Sequence, residues 1–351
     1  MGVGGRGFAP GTRGNRTGEV IERLRTWTRW LENAPLALSL LAIFIAAAVS
    51  VLMAKAAGVD AVQAVLGRFE PGWLALLLAT RALSYGGYTA AHRATLTPGR
   101  EEKVSTDAAF KTVAFGAAAT SLEGGFSIDH RAMRGAGATP RQATIRVLNL
   151  GALELATLAP AACICALTLL GSARVQQAVS VPWAVGVPVG VALVLFVAPH
   201  LSPRSLIRKG LLARALARAL EALELLVEQL RHPLRYRAAW AGMSVYWAAE
   251  ILSLWAALRM FGLRPSAAVV VLAYATGHVL TPRSLPLSGV GVTELLLPLA
   301  LTWTGLPLAG AVPAVFAYRL ALLALSIPPA IAAREDVRRL VDVPAARRVA
   351  S

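Results

Sequence analysis

Seven apolar runs near the length that crosses a bilayer recur along this chain, and most of its arginines lie outside them. They cover residues 35–54, 73–91, 143–170, 181–199, 238–261, 267–280 and 308–332. A hydrocarbon core about 30 Å thick takes roughly 20 helical residues, and a spanning helix satisfies its own backbone polar groups without water. The pattern therefore predicts an all-α polytopic membrane helix bundle of about 7–8 spans. Composition agrees, since 56% of the 351 residues are hydrophobic and only 15% are charged, a balance seldom seen in a water-soluble domain.

The net charge of +16 would point to nucleic acid in a soluble protein. Here most arginines lie outside the apolar runs and no RNA or DNA motif accompanies them, so they read as topology signals. The segments 1–29, 92–103, 131–146, 204–237 and 334–348 are basic, whereas the connections 55–70, 171–180 and 262–265 carry little positive charge. The positive-inside rule places the basic set, with the amino terminus, on the cytoplasmic side of a plasma membrane. Cys163 and Cys165 lie together in one apolar run without other ligands nearby and read as packing residues.

This division sets the domain organisation. Residues 1–18 form a disordered basic tail without a signal-peptide pattern, and 19–34 an interfacial helix with Val20, Ile21, Leu24, Trp27 and Leu31 on one face. Residues 35–333 form the transmembrane domain, and 334–351 a basic cytoplasmic tail. Within the domain, residues 203–231 read as a cytosolic amphipathic helix starting at Ser202-Pro203. Its Leu212, Leu216, Leu220, Leu223, Val227 and Leu230 form a stripe that would lie on anionic membrane lipids.

Two further stretches, 106–125 and 286–305, are apolar but contain helix breakers and are expected to be re-entrant or broken helices. The first separates two basic segments that both belong inside, so it either returns to the same side or spans against the charge rule. Irregular backbone at membrane depth survives only where protein or a water-filled cavity satisfies it. "SLEGGFS", with Glu123, Gly124 and Gly125, supplies such backbone, as does "PLSGVGVTE" with Pro286, Ser288, Gly289 and Gly291.

Ionisable residues inside the apolar runs are the candidate site. Arg81 sits mid-run, where its insertion cost of about 2.5–3.5 kcal/mol cancels most of what five neighbouring leucines supply at about 0.5 kcal/mol each. It therefore needs a polar neighbour or cavity. The same holds for Glu154, Glu250 and Arg319, with His278 and Arg283 beside them and Glu294 following the glycine break. Two uses are open: ion pairs that lock helices together, or a pathway for a polar substrate. The breaks share an arrangement, because Asp129 and Glu154 follow Gly124 by five and thirty residues, as Glu294 and Arg319 follow Gly289. Inverted-repeat transporters place broken helices in corresponding positions. Ser288 can cap the helix entered through Gly289-Val290-Gly291, whose amides could receive a phosphate, while Glu294 either satisfies the helix dipole, binds a cationic head group or carries a proton.

With these residues in view, the carboxyl-terminal third resembles the transmembrane domain of lysylphosphatidylglycerol synthases, the flippase half of the multiple peptide resistance factor. The likeness rests on Pro286, Gly289, Gly291, Glu294, Gly305, Tyr318 and Arg319, and earlier on Gly124, Gly125, Arg131, Arg134, Gly135 and Gly137. "PLSG" stands where a Pro-Gly-Gly is usual. The resemblance implies a lipid-moving domain without the soluble aminoacyltransferase domain, acting on a phospholipid or lipid-linked substrate. Its arginines would hold phosphate through bidentate donors. A separate head-group-modifying enzyme is a possible partner, and neither a cofactor nor a metal is expected.

Two other classes compete. A lipid-carrier transferase would need clustered acids, yet the chain has no Asp-x-Asp pair, no His-Glu-x-x-His and no P-loop, and "GVGVTE" follows no strand. An enzyme is thus disfavoured. A membrane scaffold or partner subunit of a lipid-modifying system is the remaining alternative.

Overall fold

A computed structural model describes residues 35–96, 106–107, 109–110, 113, 125–135, 138–196, 210–281, 285 and 289–332. Among them every regular element is helical. In chain order these are α1 (Pro35–Ala57), α2 (Val59–Leu66), α3 (Gly72–Leu96), α4 (Gly125–Gly135), α5 (Pro140–Leu169), α6 (Gln177–Phe196), α7 (Leu211–Arg231), α8 (Arg237–Met260), α9 (Ala267–Leu280), α10 (Val292–Trp303) and α11 (Leu308–Ala332). The tails, the interfacial helix at 19–34 and most of the 106–125 stretch lie outside the described residues.

Among the described residues, five helices are long and apolar enough to cross a membrane: α1, α5, α6, α8 and α11. α3 has the length, 25 residues, but carries Arg81, His92 and Arg93, and it owes its place to burial against α8. The outward residues Leu40, Phe44 and Val51 of α1 and Val185, Leu193 and Phe196 of α6 are exposed, as a lipid-facing surface requires.

Local signals explain several boundaries. α5 begins with Pro140 after a capping box in which Gln142 N–H donates to Thr139 Oγ1 at 3.3 Å and Thr139 N–H to Gln142 Oε1 at 2.9 Å. α9 is capped by Ser266, just before its first residue, whose hydroxyl accepts the Val269 N–H.

The centre of the bundle is the antiparallel pair α3 and α8, its most extensive helix contact. Backbones meet where two glycines face each other. A Cβ on Gly87 would lie 2.6 Å from Tyr246 N, and one on Gly242 2.6 Å from Ala91 N. α5, α9, α10 and α11 enclose this pair in one continuous core.

The sparsely basic connections meet at one end. Glu70 N–H donates to Met260 O at 2.8 Å, Gln176 N–H donates to Trp303 O at 2.9 Å, and Leu263 packs on Gly310. Residues 55–70, 171–176 and 262–265 thus share a face, as the charge pattern predicts.

α9 was expected to span but has only 14 residues, and α10 has 12, about 21 and 18 Å of helix against a core of about 30 Å. The two pack antiparallel. Gly277 rests on Leu297, while Trp303 at the far end of α10 packs in the cluster that holds Leu272. Together they form a hairpin whose two outer ends lie at the sparsely basic face.

α7 confirms a helix within the segment read as amphipathic, but the structure splits its stripe. Ala217, Leu220, Leu226 and Gln229 are buried, with Arg141 of α5 gripping Glu221 through two hydrogen bonds of 2.5 and 3.2 Å. Leu212, Leu216 and Leu230 face outward at 88, 50 and 49% exposure. At its end, burial and the Glu228 carboxylate that accepts the Tyr236 hydroxyl push that phenol above its ordinary range. A spin label at Leu212 in nanodiscs is expected to become protected from a water-soluble relaxation agent when anionic lipid replaces zwitterionic lipid, with Arg214→Glu and Arg218→Glu together reversing the effect.

Candidate functional site

Four helices build the first pair and its hydrogen-bond partners. Arg81 of α3 and Glu250 of α8 form a salt bridge at 1% and 5% side-chain exposure. The other Glu250 oxygen accepts hydrogen bonds from Tyr274 Oη at 3.0 Å and Tyr318 Oη at 2.5 Å, and those hydroxyls lie 3.2 Å apart. The Arg81 guanidinium also covers the Tyr318 ring at 4.2 Å. Next to this pair, Thr80 and Ser253 hydroxyls meet at 2.8 Å. The partner that Arg81 requires is thus present.

The second pair closes the glycine break. Arg319 Nε donates to Glu294 Oε1 at 2.8 Å, and Glu294 Oε2 accepts the Gly291 N–H at 2.6 Å. Gly289 and Gly291 hold φ of 69° and 87°, values that glycine adopts without steric cost. The helix is capped from within, by Glu294 reaching back to Gly291, while Ser288 lies outside the described residues. The Gly291 amide is therefore committed to Glu294, which corrects the expectation of a free amide awaiting phosphate. Arg319 stands eleven residues into α11, roughly 16 Å from its start, so the break opens at mid-depth.

The third group is Glu154 of α5. Its Oε1 accepts the Tyr88 hydroxyl at 2.9 Å, its Oε2 lies 4.0 Å from His278 Nε2, and its backbone carbonyl accepts the Trp247 indole N–H at 2.9 Å. The His278 ring meets the Trp247 ring edge-on at 4.6 Å and stacks on Tyr274 at 6.2 Å.

Arg81, Glu250, Tyr274, His278, Tyr318 and Arg319 line one cavity of about 110 Å³ together with the apolar Val113, Leu297 and Leu322. Glu154 and Glu294 reach it through the lining residues that they contact, Tyr88 and His278 for the first and Arg319 for the second. A water needs about 10–15 Å³ by this measure, so the space holds several waters or one phosphate-sized group. A whole lipid head group would require the helices to part.

The structure therefore brings Arg81, Glu154, Glu250, His278, Glu294 and Arg319 together. Arg283, Glu123, Gly124, Pro286 and Ser288 lie outside the described residues, and Gly125 begins α4. Sequence reasoning missed Tyr88, Tyr246, Trp247 and Tyr274, whose signal was only polar-tipped aromatics within apolar runs. It also missed a further buried pair, in which His92 Nε2 lies 3.0 Å from Asp129 Oδ1. Among the described residues no group of three or more His, Cys, Asp or Glu side chains is arranged to hold a metal.

Comparison with curated proteins returns no match. The family described as the lysylphosphatidylglycerol synthase TM region matches residues 39–329, most of the chain and every helix that lines the cavity. This chain belongs to the lysylphosphatidylglycerol synthase TM region family and is an integral membrane protein.

Proposed function

We propose that this domain moves a phospholipid or lipid-linked head group across the cytoplasmic membrane while the acyl chains stay in the bilayer. The observation that carries the reading is a polar cavity at mid-depth, beside a broken helix and lined by two arginines, among helices whose outer faces are apolar. Buried ionisable residues at such depth mark substrate paths by default. Guanidinium groups suit phosphate because they offer fixed parallel donors. In the resting arrangement carboxylates occupy those donors, so an arriving phosphate would exchange with Glu250 or Glu294 rather than enter an empty site. A separate enzyme that modifies the head group fits as a partner of such a domain.

The test is a dithionite-quench assay in liposomes carrying fluorescent phosphatidylglycerol or phosphatidylcholine. Wild type is expected to expose inner-leaflet probe faster than empty vesicles, and folded Arg319→Gln and Glu294→Gln to lose at least tenfold of that excess rate. Rates equal to empty vesicles for all three, across a panel of head groups and under an imposed proton gradient, would replace this reading with that of a scaffold.

A further inference from the structure

Among the described residues, three arginines cover aromatic rings, and two of them also hold a carboxylate. Arg81 lies over Tyr318 and bridges Glu250, and Arg235 lies over Tyr236 and reaches Glu228 at 3.6 Å. Arg259 differs. Its guanidinium stands 5.0 Å from the Trp73 ring centre and 5.5 Å from that of Trp255, two rings that meet edge to face at 5.3 Å. No carboxylate among the described residues lies within ion-pair distance of it, and its covered Nε has no hydrogen-bond acceptor. The acid beside this cluster is Glu70, which accepts the Trp73 indole N–H at 3.0 Å and so orients the ring.

Trp73 is the second residue of α3 and Arg259 the last but one of α8, so the cluster sits where both helices end at the sparsely basic face. That is head-group level, where tryptophan rings settle and lipid phosphates lie. This face carries few arginines, yet Arg68 reaches the same turn, with its Cβ and Cδ each 3.5 Å from where a side chain on Gly262 would begin. The neighbouring surface is apolar. Leu74 follows Trp73, Leu252 lies one turn before Trp255, and Phe69 packs on Phe261, all three exposed.

We propose that Trp73, Trp255 and Arg259, with Arg68 beside them, bind the phosphate of an anionic phospholipid in the leaflet at the sparsely basic face. Ring contact stabilises a guanidinium without taking the paired N–H donors that a phosphate accepts. The protein gives Arg259 no counter-ion, and a lipid phosphate supplies one at this depth, with its acyl chains along Leu74, Leu252 and Phe69. A net-anionic lipid fits better than a zwitterionic one, because its head group brings no ammonium towards the two arginines. Basic pockets between spanning helices recognise lipid head groups in this way. The site is separate from the cavity, none of whose lining residues belongs to it, so it stands whether or not the domain moves lipid.

Brominated acyl chains quench tryptophan on contact and therefore report which lipid touches this cluster. Full-length protein is placed in phosphatidylcholine vesicles with equal fractions of brominated phosphatidylglycerol or brominated phosphatidylcholine. The quenching lost in Trp255→Phe isolates the site. Wild type is expected to favour phosphatidylglycerol about fivefold, and Arg259→Gln to bring that ratio to about one. Arg259→Lys should give an intermediate value, since the charge stays and the paired donors go. Arg235→Gln, at the opposite end of α8, should keep the wild-type ratio. Inorganic phosphate, added against chloride of equal ionic strength, separates two sources of the same chemistry: a preference that survives it keeps the site with lipid, and one that vanishes reassigns the site to free phosphate. Equal quenching by both lipids in wild type, or a wild-type preference in Arg259→Gln, would overturn the proposal. Should Arg259→Gln fail to fold, an unchanged ratio in Arg259→Lys would overturn the paired-donor contact.

Discussion

Glu250→Ala is expected to destabilise the fold by about 3–5 kcal/mol, because it leaves Arg81 charged, 1% exposed and without its carboxylate. Chemical unfolding in detergent followed by tryptophan fluorescence would measure the loss. The informative comparison is the double substitution Arg81→Leu with Glu250→Leu, since exchanging a whole buried pair for apolar side chains is often neutral or stabilising. Tyr274 and Tyr318 would keep each other's hydroxyls, now 3.2 Å apart. The double variant is expected to regain most of the stability and still fail in the lipid assay. If it moved lipid as wild type does, this pair would be a lock between α3 and α8 and nothing more.

Gly242→Ala should be, with Gly87→Ala, among the most damaging single-methyl additions at the described glycines. Its Cβ would lie 2.6 Å from Ala91 N and 2.8 Å from Gly87 O, both backbone atoms that no rotamer change can move. Overpacking in a core ordinarily costs about 1–3 kcal/mol, and contact with backbone places this case at the top of that range or above it. The same strain would displace the Arg81–Glu250 bridge further along the helix pair. Gly86→Ala is the control, on the facing helix one residue before Gly87 and with open space around the added carbon. Thermal stability of the two variants should separate by more than about 5 °C, at roughly 2–4 °C per kcal/mol for a chain this large.

Fold class was legible because the hydrophobic runs are long and the bilayer's thickness is a ruler. Arg81, Glu250, Glu294 and Arg319 were legible for the same reason, as groups whose burial has to be compensated. Their pairing was not. Arg81 and Glu250 lie 169 residues apart, and only the antiparallel contact of α3 with α8 brings them together. The matched spacing of the two glycine breaks also hides a difference, for Glu294 meets Arg319 of α11 whereas Asp129 meets His92 of α3. His92 itself was placed with a basic connection, yet it ends up fully buried near the end of α3. A histidine between alanine and arginine gives no sign of this, because burial there depends on α4, which pattern reading did not find. The tyrosines escaped notice since an aromatic ring in an apolar run is ordinary until its hydroxyl is seen to meet a carboxylate.

The α9–α10 hairpin has a consequence for voltage. Because neither helix is long enough to cross and both outer ends share one face, a charge reached by water at the inner end would face a barrier thinner than the bilayer, with the field concentrated across what remains. A full membrane crossing by one elementary charge at 100 mV is worth about 2.3 kcal/mol, roughly fiftyfold in an equilibrium. A lipid carried with net charge through this route would therefore respond to membrane potential over a short part of its path, near Gly291 and Arg319, and very little elsewhere.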